Sequence, residues 1–408
     1  MTGPRLARRL PMLREFLQQE ATAGLVLVAA TVVALVWANS PAGDSYVRFW
    51  HQELTLGAGR LAVTEDLQHW VNDGLMAIFF FVVGLEIKRE LVTGELTDRR
   101  AAALPVLAAL GGVILPAVIY LLLAPGGEAA RGWGIPMATD IAFAVGILAL
   151  FGARASPGAK LLLLSIAIVD DIIAIVVIAA FYSGAIHWGW LAIAVLGLLA
   201  VAAMRQWVPS PWAASPWAYV PVAVVIWFAV LESGVHATIA GVALGLLTPA
   251  HPVHGRPVLE QLEHLLHPVS AYLVIPLFAL ANAGVDLRGG ILGDALGEPL
   301  TWAVALGLVV GKTLGIGGAA TIARRLRVGE LPGGMPPAQL WPVAALGGIG
   351  FTVALFIADL AFTDPALIIQ AKVGIFVGSI AAAILGFALL TLLSRGTPRA
   401  SGGSVAHP

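Results

Sequence analysis

Four ionisable residues lie near the middle of long apolar runs of this 408-residue chain: Asp140, Asp170, Asp171 and Lys312. A charge at the centre of a membrane span costs about 2.5–3.5 kcal/mol on insertion scales, so four facing lipid would cost on the order of 10 kcal/mol. They must face a polar interior and one another. Adjacent residues on a helix point about 100° apart, so Asp170 and Asp171 cannot do the same job. One can face a water-filled cavity while its neighbour meets a partner on another helix. Lys312 is the embedded cation of comparable depth. Carboxylates withdrawn from water titrate closer to neutral pH unless a cation pairs with them, and such groups hold either a proton or a cation. Carboxylate and backbone oxygens suit a hard cation such as Na⁺. Competition between the two ligands is enough to couple their movements.

These residues need elements that hold them at depth. Of the chain, 59% is hydrophobic and 12% charged, with a mean hydropathy of +0.90, against about 25% charged residues in ordinary soluble domains. A helical span needs about 20 apolar residues. Runs of that kind fall near 21–38, 70–87, 101–123, 133–151, 159–182, 188–204, 217–231, 235–248, 268–285, 299–322, 339–362 and 370–393. The fold expected is therefore an all-α polytopic membrane protein of about twelve transmembrane helices. Continuous runs exclude the alternation of a β-barrel. A formal net charge of −1 and the lack of a basic domain exclude nucleic acid as partner, and zero cysteines exclude disulfides and thiol chemistry. The partner of most of the surface is the lipid bilayer.

Two triads of spans, 101–182 and 299–393, look comparable because the middle span of each is interrupted. In the first, Gly132, Gly134 and Pro136 precede Thr139-Asp140; in the second, Gly347, Gly348 and Gly350 sit at the centre. Such clusters in corresponding places point to inverted repeats with two discontinuous helices crossing at mid-membrane. Half-helices meeting there leave partial positive charge at N-termini, which Asp140 can neutralise. Seventeen of the 23 lysines and arginines fall in segments on the N-terminal side of the membrane, including Arg5, Lys88, Arg89, Arg324 and Arg395. By the positive-inside rule both termini are cytoplasmic. The first span reads as uncleaved, for it is longer than a signal h-region and lacks a small-residue cleavage pattern.

The reading gives one transmembrane domain over 1–396 and a disordered polar tail over 397–408. In the first external loop, Leu54-Thr55-Leu56 and Leu61-Ala62-Val63 flank Gly57-Ala58-Gly59, which reads either as a small hairpin or as an irregular loop. Glu86 and Glu90 close the second span as a solvated helix end, while Glu263, His264 and His267 mark the membrane interface at the ninth. Two His-x-x-His pairs, His251/His254 and His264/His267, lack the thiolates or compact domain of a metal site. Asp359 and Lys372, late in the chain, have no assigned role.

The stretches Thr139 to Ala144 (TDIAFA) and Val169-Asp170-Asp171 closely resemble signatures of the NhaA family of Na⁺/H⁺ antiporters. So do Phe80 to Leu91 (FFVVGLEIKREL), Gly234 to Gly241 (GVHATIAG), Leu280 to Val285 (LANAGV), Gly311-Lys312 and Gly347 to Thr352 (GGIGFT). The matches cover most of the chain in one order. The resemblance implies Na⁺ binding at Asp171 and Asp170, with Asp170 pairing with or exchanging protons against Lys312. It also implies that Thr139, Asp140, Gly347, Gly348 and Gly350 form the broken-helix crossing. Glu86, Glu90, Glu263 and His264 would serve a cytoplasmic funnel or pH sensing, the last because histidine titrates near neutral pH. Also implied are transport of Na⁺ and Li⁺ against H⁺ without a cofactor, a bacterial inner-membrane location, and a homodimer formed through the hairpin near Gly57. The chain departs from the family pattern at Glu260-Gln261, where basic residues are expected, which puts the pH set-point in doubt. An intramembrane aspartyl protease needs two carboxylates converging on one water, which adjacent aspartates cannot supply. A channel would favour a continuous pore over broken helices.

Overall fold

The computed structural model describes residues 4–396 except 58, 60, 61, 152–154, 208–216, 218 and 254, and it leaves aside the side chains of 4–21, 95, 99, 205–207 and 394–396. The expected tail over 397–408 and His254 of the first histidine pair lie outside the described residues. Helix α1 (Pro4–Asn39) and α2 (Gly43–Trp50) lead into strands β1 (Glu53–Leu56) and β2 (Val63–Asp66). The strands pair antiparallel, Glu53 opposite Asp66 and Leu56 opposite Val63, so the loop is a hairpin. Its second strand starts at Val63, where the sequence reading ended it. Gly57 and Gly59, with φ of 110° and 60°, open a wider connection that delays re-pairing.

Asp66 then caps α3 (Leu67–His69), which continues through a π-turn at Trp70–Leu75 into α4 (Met76–Val92). Helix α5 (Arg99–Leu123) is capped by Asp98. A 3₁₀ helix at Gly127–Met137 and α6 (Ile141–Leu150) form the first interrupted pair, followed by α7 (Pro157–Phe181). Next come α8 (Trp188–Trp207), α9 (Val220–Glu232) and α10 (Thr238–Leu247). The run α11 (Val258–Val269), a π-turn and α12 (Ile275–Asn282) precede the short α13 (Ile291–Gly297). Finally α14 (Pro299–Leu306), a π-turn and α15 (Lys312–Arg325) precede the second interrupted pair, α16 (Leu340–Leu346) and α17 (Phe351–Ala361), and the long α18 (Pro365–Gly396).

Each of the twelve apolar runs is largely helical among the described residues, apart from the two interruptions. Among the described residues, six helical stretches are long and apolar enough to cross a bilayer, or eight if each bent pair is one crossing. Helix α4, with 17 residues, the Trp188–Met204 stretch of α8, and the short apolar α9 and α10 fall below that length. The bends are 44° between Gly127–Met137 and α6 and 42° between Pro337–Leu346 and α17.

The two triads pack into one body. Helix α15 lies against α5 and α16, and α18 lies against α14, α16 and α17. The α5–α15 approach depends on Gly111 and Gly315, where a Cβ on either would strike the other's backbone. That contact sets Lys312 beside α5 and lets its chain reach α7.

Candidate functional site

Helix α7 starts cleanly because the Ser156 hydroxyl accepts from Ala159 N at 3.1 Å and Pro157 occupies the first turn. Its centre is buried and carries Asp170 and Asp171, 1% and 6% exposed. Their surroundings differ. Asp170 Oδ2 accepts from Lys312 Nζ at 2.5 Å, and Lys312 is itself fully buried. The same oxygen lies 2.7 Å from Thr139 Oγ1, which is also 2.8 Å from the Gly347 carbonyl. A hydroxyl has one proton, so Thr139 serves one of those acceptors at a time. Asp170 Oδ1 is buried without a hydrogen-bond partner.

Asp171 turns the other way, into a cavity of about 70 Å³. Glu86, Thr139, Asp140, His267, Ser270 and Thr352 share its wall. A water needs about 10–15 Å³ measured this way, so the cavity admits several waters or a partly hydrated ion. It leads from the helix breaks toward the end of α4 that carries Lys88 and Arg89.

The breaks are built on each other. Residues 138–140 are extended between Met137 and Ile141, and the Asp140 amide donates to the Ile349 carbonyl at 2.6 Å. Asp140 Oδ1 accepts from Phe143 N at 3.1 Å, which caps α6. Its Oδ2 accepts from Thr352 N at 3.1 Å and Thr352 Oγ1 at 2.6 Å, in the first turn of α17. One carboxylate thus meets the positive ends of two helices. On the second break, a Cβ at Gly348 would run into the Leu308 carbonyl, and one at Gly350 would lie 2.7 Å from Leu308 Cδ2 and 3.1 Å from the Ala138 carbonyl. Only glycine lets the broken segments approach this closely.

Other expected residues scatter. Glu86 lines the cavity, whereas Glu90, one turn further along α4, is half-buried outside it. Glu263 on α11 is ion-paired to Arg89 on α4, and His264 is exposed. His267, read from sequence as an interfacial histidine, lines the cavity instead. A three-residue step carries it almost one full turn from His264, but nothing local in the sequence says which of the two faces inward. Thr352 and Ser270 were also missed; Thr352 stood within the quoted GGIGFT stretch, while Ser270 carries no signal of its own. Asp359 Oδ1 pairs with Lys372 Nζ at 2.9 Å.

The model of the family described as Na⁺/H⁺ antiporter 1 matches residues 14–390. The chain belongs to the NhaA family of Na⁺/H⁺ antiporters. It is 45% identical to Na⁺/H⁺ antiporter NhaA 3 of Frankia alni over 98% of this chain and 93% of that one. It is 47% identical to NhaA 1 of Erythrobacter litoralis over 95% and 94%. With the NhaA of Escherichia coli O139:H28 it shares 45% over 94% and 98%. Members of the NhaA family are transporters rather than enzymes, and the apolar helices make this member a multi-pass membrane protein.

Proposed function

We propose that this protein is an electrogenic antiporter that moves cytoplasmic Na⁺, and Li⁺ as well, outward in exchange for protons, and so maintains cell pH and sodium. It sits in a bacterial inner membrane with both termini cytoplasmic. Its twelve spans carry inverted repeats whose broken helices cross at mid-membrane, and it works as a homodimer. The observation that carries this reading is the division of labour on α7: Asp171 faces the cavity while Asp170 holds Lys312. Na⁺ arriving from the cytoplasmic side along Glu86 meets Asp171 and displaces its proton. Asp140 and Thr139 line the same cavity and offer further oxygen ligands. Rearrangement around Asp170 releases a second proton from Lys312. Two protons against one Na⁺ moves net charge. Protons entering from outside restore the pair and close the cycle.

The test is Na⁺- and Li⁺-driven proton flux in proteoliposomes, with K⁺ as comparison. Asp171→Asn abolishes exchange with both ions, while the protein is recovered folded from the membrane. Substantial Na⁺-dependent proton movement in that variant would remove Asp171 as the cation ligand.

A further inference from the structure

Beyond the central site, the structure holds a second buried Asp–Lys pair. Asp359 on α17 and Lys372 on α18 have side chains only 14% and 8% exposed, and their charged atoms meet at 2.9 Å. The second carboxylate oxygen, Asp359 Oδ2, is buried and has no hydrogen-bond partner. Asp170 has the same construction: one oxygen on a lysine ammonium, the other buried and unpartnered. A lone clasp would be expected to satisfy both oxygens, since an unmade buried hydrogen bond is expensive.

Position gives this pair a direction. Thr352, which binds Asp140, and Asp359 lie on the same helix seven residues apart, or about 10 Å along it at 1.5 Å per residue. Asp359 lies beyond the breaks, away from the end of the bundle where the cavity meets Glu86. It is within electrostatic reach of Tyr46, on the helix just before the hairpin. Between the breaks and Asp359, every residue from Phe351 to Ala358 is buried. The route from Asp171 toward the hairpin face is therefore closed, and the Asp359–Lys372 pair stands at its far end.

We infer that Asp359 is a second cation station, on the external limb of the transport route, where Lys372 holds the place of the travelling Na⁺. An ammonium and a sodium ion each carry one positive charge, so the carboxylate stays compensated when Na⁺ replaces Lys372, which gives up one proton to the outer face as it is displaced and takes one back when the ion leaves. The ion then passes from Asp171 to Asp359 to the outer face, and Lys372 returns behind it. This inference rests on the antiport reading above and on its orientation.

The experiment measures apparent KM for Na⁺ separately on each face, in right-side-out and everted membrane vesicles. Variants are Asp359→Asn and the pair-neutralised Asp359→Asn/Lys372→Gln. The double variant guards against misfolding from an unpaired buried lysine. Loss of a charged contact raises the KM on the hairpin face roughly tenfold, with the KM on the opposite face unchanged. Equal changes on both faces, or unchanged kinetics with lowered thermal stability, overturn the station and leave a structural clasp. Failure of the antiport reading would show differently, as Na⁺-driven flux surviving Asp171→Asn.

Discussion

At the scale of residues, the site is organised by what each carboxylate oxygen touches. Asp140 is the most heavily used, serving the first turns of α6 and α17 at once. Asn keeps one acceptor oxygen, so Asp140→Asn uncaps one of the two helices and removes the charge opposite both. Losing a cap costs about 1 kcal/mol, and the expected result is a modest drop in melting temperature with transport slowed but present. Wild-type rate and affinity would reduce Asp140 to a packing residue. Lys312 invites a sharper test. If it carries the second proton, Lys312→Gln exchanges one proton per Na⁺, and imposed membrane potential no longer drives flux. A stable Gln variant that still responds fully to potential would return that proton to Asp170. The four embedded ions were legible in the sequence because charge inside an apolar run announces itself. The Asp170–Lys312 pair was legible only through the family resemblance, and the Asp359–Lys372 pair was not legible at all. Asp359 and Lys372 lie on different helices, and no local pattern records which side chains meet across a helix interface.

At the scale of elements, the two interruptions were legible from glycine and proline clustered in matching spans. Their detail was not, since the first half-span is a 3₁₀ helix and the three π-turns depend on tertiary packing. The hairpin was placed to within a few residues, and its second strand moved because the turn chemistry of Gly57 and Gly59 sets the loop length. All four residues of β1 are exposed, leaving backbone able to pair with a second copy. Deleting residues 53–63 is therefore expected to convert a dimer into a monomer that still transports, as read by light scattering in detergent and by flux in liposomes. Dimers surviving that deletion would exclude the hairpin from the interface.

At the scale of the whole molecule, a cavity reaches Asp171 from the side of Glu86, while the α17 stretch beyond the breaks is packed among other helices. On the proposed competition of proton and Na⁺ for the same oxygens, apparent KM for Na⁺ rises as pH falls, by about tenfold per pH unit for each competing proton. A KM independent of pH would refute shared-site competition. The bundle itself was foreseeable from hydropathy, but the count of crossings was not, because α9 and α10 are too short for length alone to decide. The interlocked breaks also bear on how the chain is made. Asp140 N bonds to Ile349 O, and its carboxylate bonds to Thr352; these partners are synthesised some two hundred residues later. When the first triad leaves the ribosome, its unwound backbone lacks the Ile349 carbonyl and its buried acid lacks Thr352. The early half must wait in the membrane, sheltered by water or by the insertion machinery, until the last spans arrive. Assembly of the first break is therefore completed only when the C-terminal spans arrive, and a chain cut short before Leu340 lacks the groups that hold that break closed.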